Sequence, residues 1–193
     1  MTKISLDELL QLSPITFSGK VIAFCTDTVW GIGVMVDSNI QSGLSKIYQM
    51  KKRDQNKPLA VLAHSFDEVK MHLEYNQLAI KLTTYWPGAL TIIFKKKDDY
   101  FDQITQLSTI GIRVPNSVVA LTVLKHLGPM ATTSINISGE APINAINDIM
   151  NQFGHLIDYL VTDTNPLSKV SSTVVDATTN ELKVLRQGDI KIN

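Results

Sequence analysis

A chain of 193 residues, 44% hydrophobic and 19% charged, is long enough for one globular domain and short for two, so a single domain over 1–193 is expected. Eighteen Lys and Arg against eighteen Asp and Glu give a formal charge of zero and a pI near 6.9, which excludes a global basic field for polyanions and leaves only local sites. No apolar run approaches the roughly 18 residues of a spanning helix, and Asp7 and Glu8 interrupt the amino-terminal segment as a signal peptide. A cytoplasmic protein without a membrane partner is expected. One cysteine, Cys25, excludes an internal disulfide and a Cys-cluster zinc site, and the four histidines form no HExxH or HxH pattern, so no protein-held metal is expected.

In chain order, Ser5 and Glu8 have the spacing of a capping box ahead of Leu9, Leu10 and Leu12, which predicts a short opening helix. Lys20 to Phe24 reads as a buried strand, and Gly31 to Val36 as its partner. Leu44, Ile47, Tyr48 and then Lys51 share one helical face, so the lysine continues a buried stripe. Leu59 to Ala63 predicts another buried strand. Ser65 and Glu68 repeat the capping-box spacing and predict a helix there, and a further helix runs from about Gln77 until Pro87 and Gly88 stop it. Ala89 to Phe94 reads as a strand running into a solvated turn at 95–99. In the strand Thr109 to Val114, Thr109, Gly111 and Arg113 point one way and Ile110 and Ile112 the other. A helix over 116–126, a strand over 129–132, a helix over 143–153 and short strands near Tyr159, 173–176 and 182–185 follow. Strands alternating with helices give an α/β fold. The closely spaced late strands make the sheet mixed, parallel and antiparallel, and disfavour a pure Rossmann arrangement. Neither GxGxxG nor GxxxxGK[ST] occurs, so a nucleotide would need another cradle.

Four stretches could carry chemistry, each beside a structural alternative. Thr26-Asp27-Thr28-Val29-Trp30-Gly31 can present hydroxyls and backbone donors to a cleft, or is a polar turn between paired strands. Lys51-Lys52-Arg53-Asp54-Gln55-Asn56-Lys57 is a phosphate clamp, or complements a helix C-terminus. An extended Ser134-Ile135-Asn136-Ile137-Ser138-Gly139 lines three hydrogen-bonding side chains along one face, as ligand recognition or as an ordinary half-buried strand. Arg113, on the polar face of its strand, is a surface residue or the partner of a ligand carboxylate or phosphate, and Ser171 to Asp176 and Arg186 have the same two readings. Cys25 ends a buried strand with no His or Asp at a recognisable spacing, and reads as a small hydrophobe rather than a nucleophile.

The order of TDTVWG (26–31), KKR (51–53), KPLAV (57–61), WPGALT (86–91), IRVP (112–115), SINISG (134–139), SSTVVD (171–176) and LRQG (185–188) is more specific than any one motif. It resembles the YrdC-type L-threonylcarbamoyladenylate synthase family over residues 20 to 188. The resemblance implies a twisted mixed sheet with flanking helices around a cationic cleft. It also implies an enzyme that converts L-threonine, bicarbonate or carbon dioxide, and ATP with Mg²⁺ into threonylcarbamoyl-AMP and pyrophosphate, for threonylcarbamoyl-adenosine in tRNA. By motif register it places the catalytic set on Lys51, Arg53, Ser134 and Asn136 and threonine contacts on Thr28, Arg113, Ser134 and Ser172. ATP contacts fall on Arg53, Lys57, Thr109, Asn136, Asn144 and Arg186. The sequence departs from the pattern at Cys25, where many members have proline, and at Leu62, where some have a threonine-contacting histidine. It stops soon after Arg186, without the extra carboxy-terminal domain of longer members, which implies the short type with separate proteins for transfer to tRNA. The alternative is an RNA-binding module using the same cleft. Zero net charge and the lack of an aromatic stacking motif weigh against it.

Overall fold

The computed structural model describes residues 1–54 and 57–192. Its strands are β1 (Thr2–Ile4), β2 (Ile22–Cys25), β3 (Trp30–Met35), β4 (Ala60–Leu62), β5 (Leu73–Glu74), β6 (Leu90–Lys96), β7 (Thr109–Arg113), β8 (Met130–Ser134), β9 (Tyr159–Val161), β10 (Thr173–Asp176) and β11 (Lys183–Arg186). The helices are α1 (Leu6–Gln11), α2 (Ile40–Lys51), α3 (Gln77–Thr83), α4 (Val118–Leu127) and α5 (Ile146–Phe153). All strands join one sheet in the order β1-β9-β2-β3-β8-β4-β7-β6-β10-β11, with β5 pairing beside this path on β6. The pairs β1/β9, β2/β9, β4/β7 and β6/β10 are parallel and the rest antiparallel, so the sheet is mixed as expected.

Alternation explains how one sheet makes both a core and a cleft. Ile32, Val61, Ile92, Ile112, Ala131 and Val175 are fully buried, and their strand neighbours face the other way. Helix α2 joins the parallel strands β3 and β4 across the intervening β8, and packs closely because Gly43 has no side chain: a Cβ there would stand 2.5 Å from Val34 Cγ2. Ser5 caps α1 in the predicted capping box, accepting from the Glu8 amide at 3.3 Å while the Glu8 carboxylate accepts from the Ser5 amide at 2.8 Å.

The second capping-box expectation fails. No α-helix follows Ser65. The Glu68 carboxylate instead accepts from the His64 amide at 3.0 Å and contacts its ring Nδ1 at 2.8 Å. Phe66 turns into an aromatic cluster with Tyr75, Trp86 and Phe94, and only a 3₁₀ turn at Lys70–His72 forms. The next helix closes at Thr83, short of Pro87. The segment Ser134 to Gly139 is not extended as expected: β8 ends at Ser134 and the chain bends from Ile135 onward. Strand β1 was not anticipated from the sequence. Three residues are too few for periodicity to register, and their pairing with β9 is 157 residues distant.

Candidate functional site

Alternate residues of six neighbouring strands floor a single cleft of about 560 Å³: Gly31 of β3, Thr132 and Ser134 of β8, Ala60 and Leu62 of β4, Gly111 and Arg113 of β7, Thr91 and Ile93 of β6, and Val174 of β10. This volume lies in the range of small-molecule sites. Five basic side chains line the cleft, Lys51, Arg53, Lys57, Arg113 and Arg186, with Glu140 the one acidic lining residue among the described residues.

Two polar clusters stand on this floor. The first is built on the turn between β2 and β3. The Thr26 hydroxyl donates to the Val29 carbonyl at 2.7 Å and accepts from the Thr28 and Val29 amides at 3.2 and 3.3 Å, which fixes the turn. Since its only proton goes to Val29, its 3.1 Å contact with Thr28 Oγ1 has Thr28 as donor. Arg113, 6% exposed, donates from Nη1 to Thr28 Oγ1 at 2.8 Å, from Nη2 to Asp27 Oδ1 at 2.6 Å and from Nε to the Gly88 carbonyl at 3.0 Å. Three of its five N–H groups are engaged, and two remain for a ligand. Burial lowers the guanidinium pKa and Asp27 opposes the shift, so the group stays charged. Beside it, Ser172 Oγ lies 2.8 Å from Thr91 Oγ1 and accepts from Arg186 Nη2 at 3.2 Å, while Arg186 also holds the Ser172 carbonyl at 2.8 Å.

The second cluster joins the end of α2 to the bend after β8. Lys51 is 1% exposed, and its ammonium donates to Ser134 O at 2.6 Å, Asn136 O at 3.1 Å and Asn136 Oδ1 at 2.8 Å. Burial, with the Arg53 charge acting the same way, pulls its pKa down to about 8. Asn136 Oδ1 also accepts from Ser134 Oγ at 2.6 Å, and Asn136 Nδ2 donates to the Ile137 and Glu140 carbonyls, both at 2.8 Å. Arg53 donates to the Lys57 and Pro58 carbonyls at 2.9 and 3.1 Å, and Lys57 is exposed on the rim. Gln55 and Asn56, in the middle of this basic segment, lie outside the described residues.

Of the residues singled out by sequence, Thr28, Lys51, Arg53, Lys57, Arg113, Ser134, Asn136, Ser138, Ser171, Ser172 and Arg186 therefore meet in one cleft. Thr109 and Asn144 do not line it. Thr109 pairs with Lys95 in the sheet, and Asn144 accepts from the Trp30 amide at 3.3 Å beside a separate cavity of about 370 Å³ that also touches Cys25. Cys25 is fully buried, and burial pushes its thiol pKa up, so it is no nucleophile. Thr91 was missed: a lone hydroxyl in the apolar run Ala89 to Phe94 was the signal. Asp27 is one residue of the TDTVWG motif, and its pairing with Arg113 spans 86 residues, which no spacing could reveal.

A family model covering Sua5, YciO and YrdC, described as "Telomere recombination", matches residues 15–188. The chain belongs to the Sua5/YciO/YrdC family. It is 30% identical over 178 residues to a Methanocaldococcus jannaschii protein provisionally named a threonylcarbamoyl-AMP synthase, covering 91% of this chain and 83% of that one. Identity to the threonylcarbamoyl-AMP synthase of Pyrococcus abyssi is 28%, over 90% of this chain and 52% of that protein, so the chain spans about half of that longer relative. The crystal structure of P. abyssi Sua5 complexed with L-threonine superposes with a TM-score of 0.83 at 29% identity, covering 97% of this chain and 56% of that one. Escherichia coli YciO shares the fold, with a TM-score of 0.82 at 20% identity over 97% of this chain and 93% of that one.

Proposed function

We propose that this protein is an L-threonylcarbamoyladenylate synthase, forming threonylcarbamoyl-AMP and pyrophosphate from L-threonine, bicarbonate or carbon dioxide, and ATP, for the threonylcarbamoyl modification of tRNA adenosine. The observation that carries the reading is the convergence, in one cleft of about 560 Å³, of a buried arginine with unengaged N–H groups, threonine and serine hydroxyls, and further cations. Family membership and the fold shared with a threonine-bound relative support it.

The chemistry asks for what these residues offer. The neutral amine of threonine adds through its lone pair to the carbon of carbon dioxide, which bicarbonate yields by taking up a proton and losing water, and gives up one N–H proton to solvent to leave a carbamate. A carbamate oxygen then attacks the α-phosphorus, the P–O bond to pyrophosphate breaks, and pyrophosphate leaves with the electron pair. No protein nucleophile is needed, in keeping with the inert Cys25. Alignment of two reactants can supply up to about 7–11 kcal/mol, and charge neutralisation adds to it. Arg113 takes the threonine carboxylate through its free N–H groups, and Thr28 and Ser172 fix the polar groups around it. Arg53, Lys57 and Arg186 receive the phosphates. Mg²⁺, when it accompanies ATP, neutralises phosphate charge. The residues fit an ion carried by phosphate oxygens and water, since no three His, Cys, Asp or Glu converge among the described residues and Glu140 is the one cleft carboxylate. The product then passes to separate proteins that transfer it to tRNA.

The test is incubation with ATP, L-threonine and bicarbonate, followed by pyrophosphate measurement with each substrate omitted in turn. Pyrophosphate released without threonine, or none with all three present, removes the assignment. RNA binding through the cleft would instead appear as an affinity falling steeply with salt.

A further inference from the structure

Lys51 stands apart from the other cations of the cleft. An ammonium has three donors and no acceptor, and here all three meet carbonyl-type oxygens within 3.1 Å. The same lysine holds the bend by its main chain, its carbonyl accepting from the Ser138 amide at 2.9 Å. Asn136, the other hub, is equally occupied: its oxygen accepts from Lys51 and Ser134, and its amide nitrogen donates twice within the bend. What 134–140 still offers a ligand is main chain. Among the described residues, the Asn136, Ile137 and Gly139 amides find no acceptor, beside the exposed Ser138 hydroxyl on the cleft wall. The adjacent free amides of Asn136 and Ile137, with that of Gly139 at φ 93° beyond the engaged Ser138 amide, are the kind of main-chain donors that make a concavity for anions.

We infer that Lys51 is a positioning residue: its ammonium assembles the 134–140 bend so that main-chain donors receive the anionic part of the ligand, and it does not itself reach a phosphate. This rests on the proposed synthase reading only for the identity of that ligand. The assembly of the bend is a property of the empty protein. To touch a phosphate Lys51 must give up one of its three oxygen acceptors, whereas Arg53 is half-buried and Lys57 exposed where they line the cleft. The charged group acting on Lys51 is Arg53, at the end of its own helix. Glu140, exposed on the facing bend, is the one acidic residue there.

Amide hydrogen exchange on the ligand-free protein decides it, using Lys51→Met, whose unbranched apolar chain suits a buried site, against the wild type. The expected result is exchange at least tenfold faster at Ser138 and Glu140, with the strands β3 and β4 unchanged, and at least tenfold weaker binding of pyrophosphate by calorimetry. Exchange within twofold of the wild type overturns the inference, whether or not affinity falls: a tenfold affinity loss with an intact bend makes Lys51 a direct phosphate contact. Should Lys51→Met fail to fold, the wild type and Asn136→Asp serve instead. After correction for intrinsic base-catalysed exchange, Ser138 protection in the wild type should rise as pH rises through about 8, because the closed bend holds Lys51 at a lowered pKa and so binds fewer protons than the opened one, and the new carboxylate beside Lys51 should move that midpoint upward. Protection independent of pH between 7 and 9.5, or an unmoved midpoint, refutes the role. Neither readout involves turnover, so failure of the synthase assignment leaves this result standing, and the reverse holds too.

Discussion

Asp27→Asn is the sharpest probe of the cleft, because it changes one charge and almost no volume. Asp27 and Arg113 are 15% and 7% exposed at their side chains and meet at 2.6 Å, so the pair is close to fully desolvated. Breaking a buried pair by removing one partner costs about 3–5 kcal/mol, because the surviving charge is stranded. Asparagine keeps an oxygen acceptor for Nη2, and Thr28 and Gly88 still hold the other donors, so the expected loss is nearer about 2–3 kcal/mol. For a chain of this size that is a fall in Tm of roughly 5–10 °C. Denaturant titration should show a lowered midpoint at unchanged slope. An α-carboxylate anchored on Arg113 would restore part of the missing negative charge, so L-threonine should raise the variant's Tm by more than it raises that of the wild type, and threonine amide should not. A stability change below about 0.5 kcal/mol, the usual range of surface substitutions, would refute the buried-pair argument. Equal threonine shifts in both proteins would take Arg113 out of the carboxylate site.

Four further outcomes are expected. Arg113→Lys should weaken threonine binding at least tenfold by calorimetry, because an ammonium cannot hold Thr28, Asp27, Gly88 and a carboxylate from one fork. Gly111→Ala should fold within about 1 kcal/mol of the wild type, since its Cβ would meet the movable tip of Ile93 at 3.1 Å, the Thr91 methyl at 3.3 Å and, at ordinary contact, Ala60 Cβ at 3.7 Å, yet lower affinity by raising the cleft floor. Cys25→Ala should keep most turnover and lose about 1 kcal/mol in denaturation, and the wild-type thiol should resist iodoacetamide until the protein unfolds. Lys51 titrates at about 8 in the folded protein against about 10.4 in an unfolded chain, so between these values the unfolded state binds more protons and the residue's contribution to stability rises with pH. Denaturation midpoints of the wild type minus those of Lys51→Met should therefore climb from pH 8 to 10, and a flat difference would count against the buried ammonium.

The parts of the molecule legible in the sequence were those written locally. The stripe Leu44, Ile47, Tyr48, Lys51 placed a lysine in the interior, and it is there. The alternation at Ile110 to Arg113 set the isoleucines in the core and the arginine on the cleft face, as observed. Failures came where tertiary contacts outbid a local pattern. Ser65 and Glu68 have capping-box spacing, but Phe66 has three aromatic partners to bury against and Glu68 has His64, so the helix never starts. The alternating polar side chains of 134–138 suggested an extended strand. Asn136 satisfies four hydrogen bonds by bending the chain instead, and Ser134, Asn136 and Ser138 still line the cleft for a different geometric reason. The reading of residues 51–57 as a phosphate clamp followed from their charge and from Lys51 continuing the buried stripe. The donors of Lys51 find their acceptors only in the folded chain, across more than 80 residues.

That division between engaged and unengaged donors bears on how the cleft can work at zero net charge. Exposed charges are screened over about 8 Å at physiological ionic strength, so a neutral protein gains little from long-range attraction of a polyanion. Recognition must be made at contact, by donors already aimed. The described residues leave no buried side-chain nitrogen or oxygen without a partner, so the cleft holds its polar groups in place before any ligand arrives. Arg113 is aligned by Thr28, Asp27 and Gly88, Ser172 by Thr91 and Arg186, and the 134–140 bend by Lys51 and Asn136. Ordering costs that would otherwise oppose binding are thereby met during folding, which favours affinity without added contacts. It follows that substitutions in this cleft divide into two kinds that equilibrium binding alone cannot separate. Changing the exposed side chain of Lys57 leaves the empty protein as it was, so an effect on a ligand there is the loss of a contact. Changing Asp27, Thr91 or Lys51 alters the empty protein first, and its effect on a ligand is the consequence.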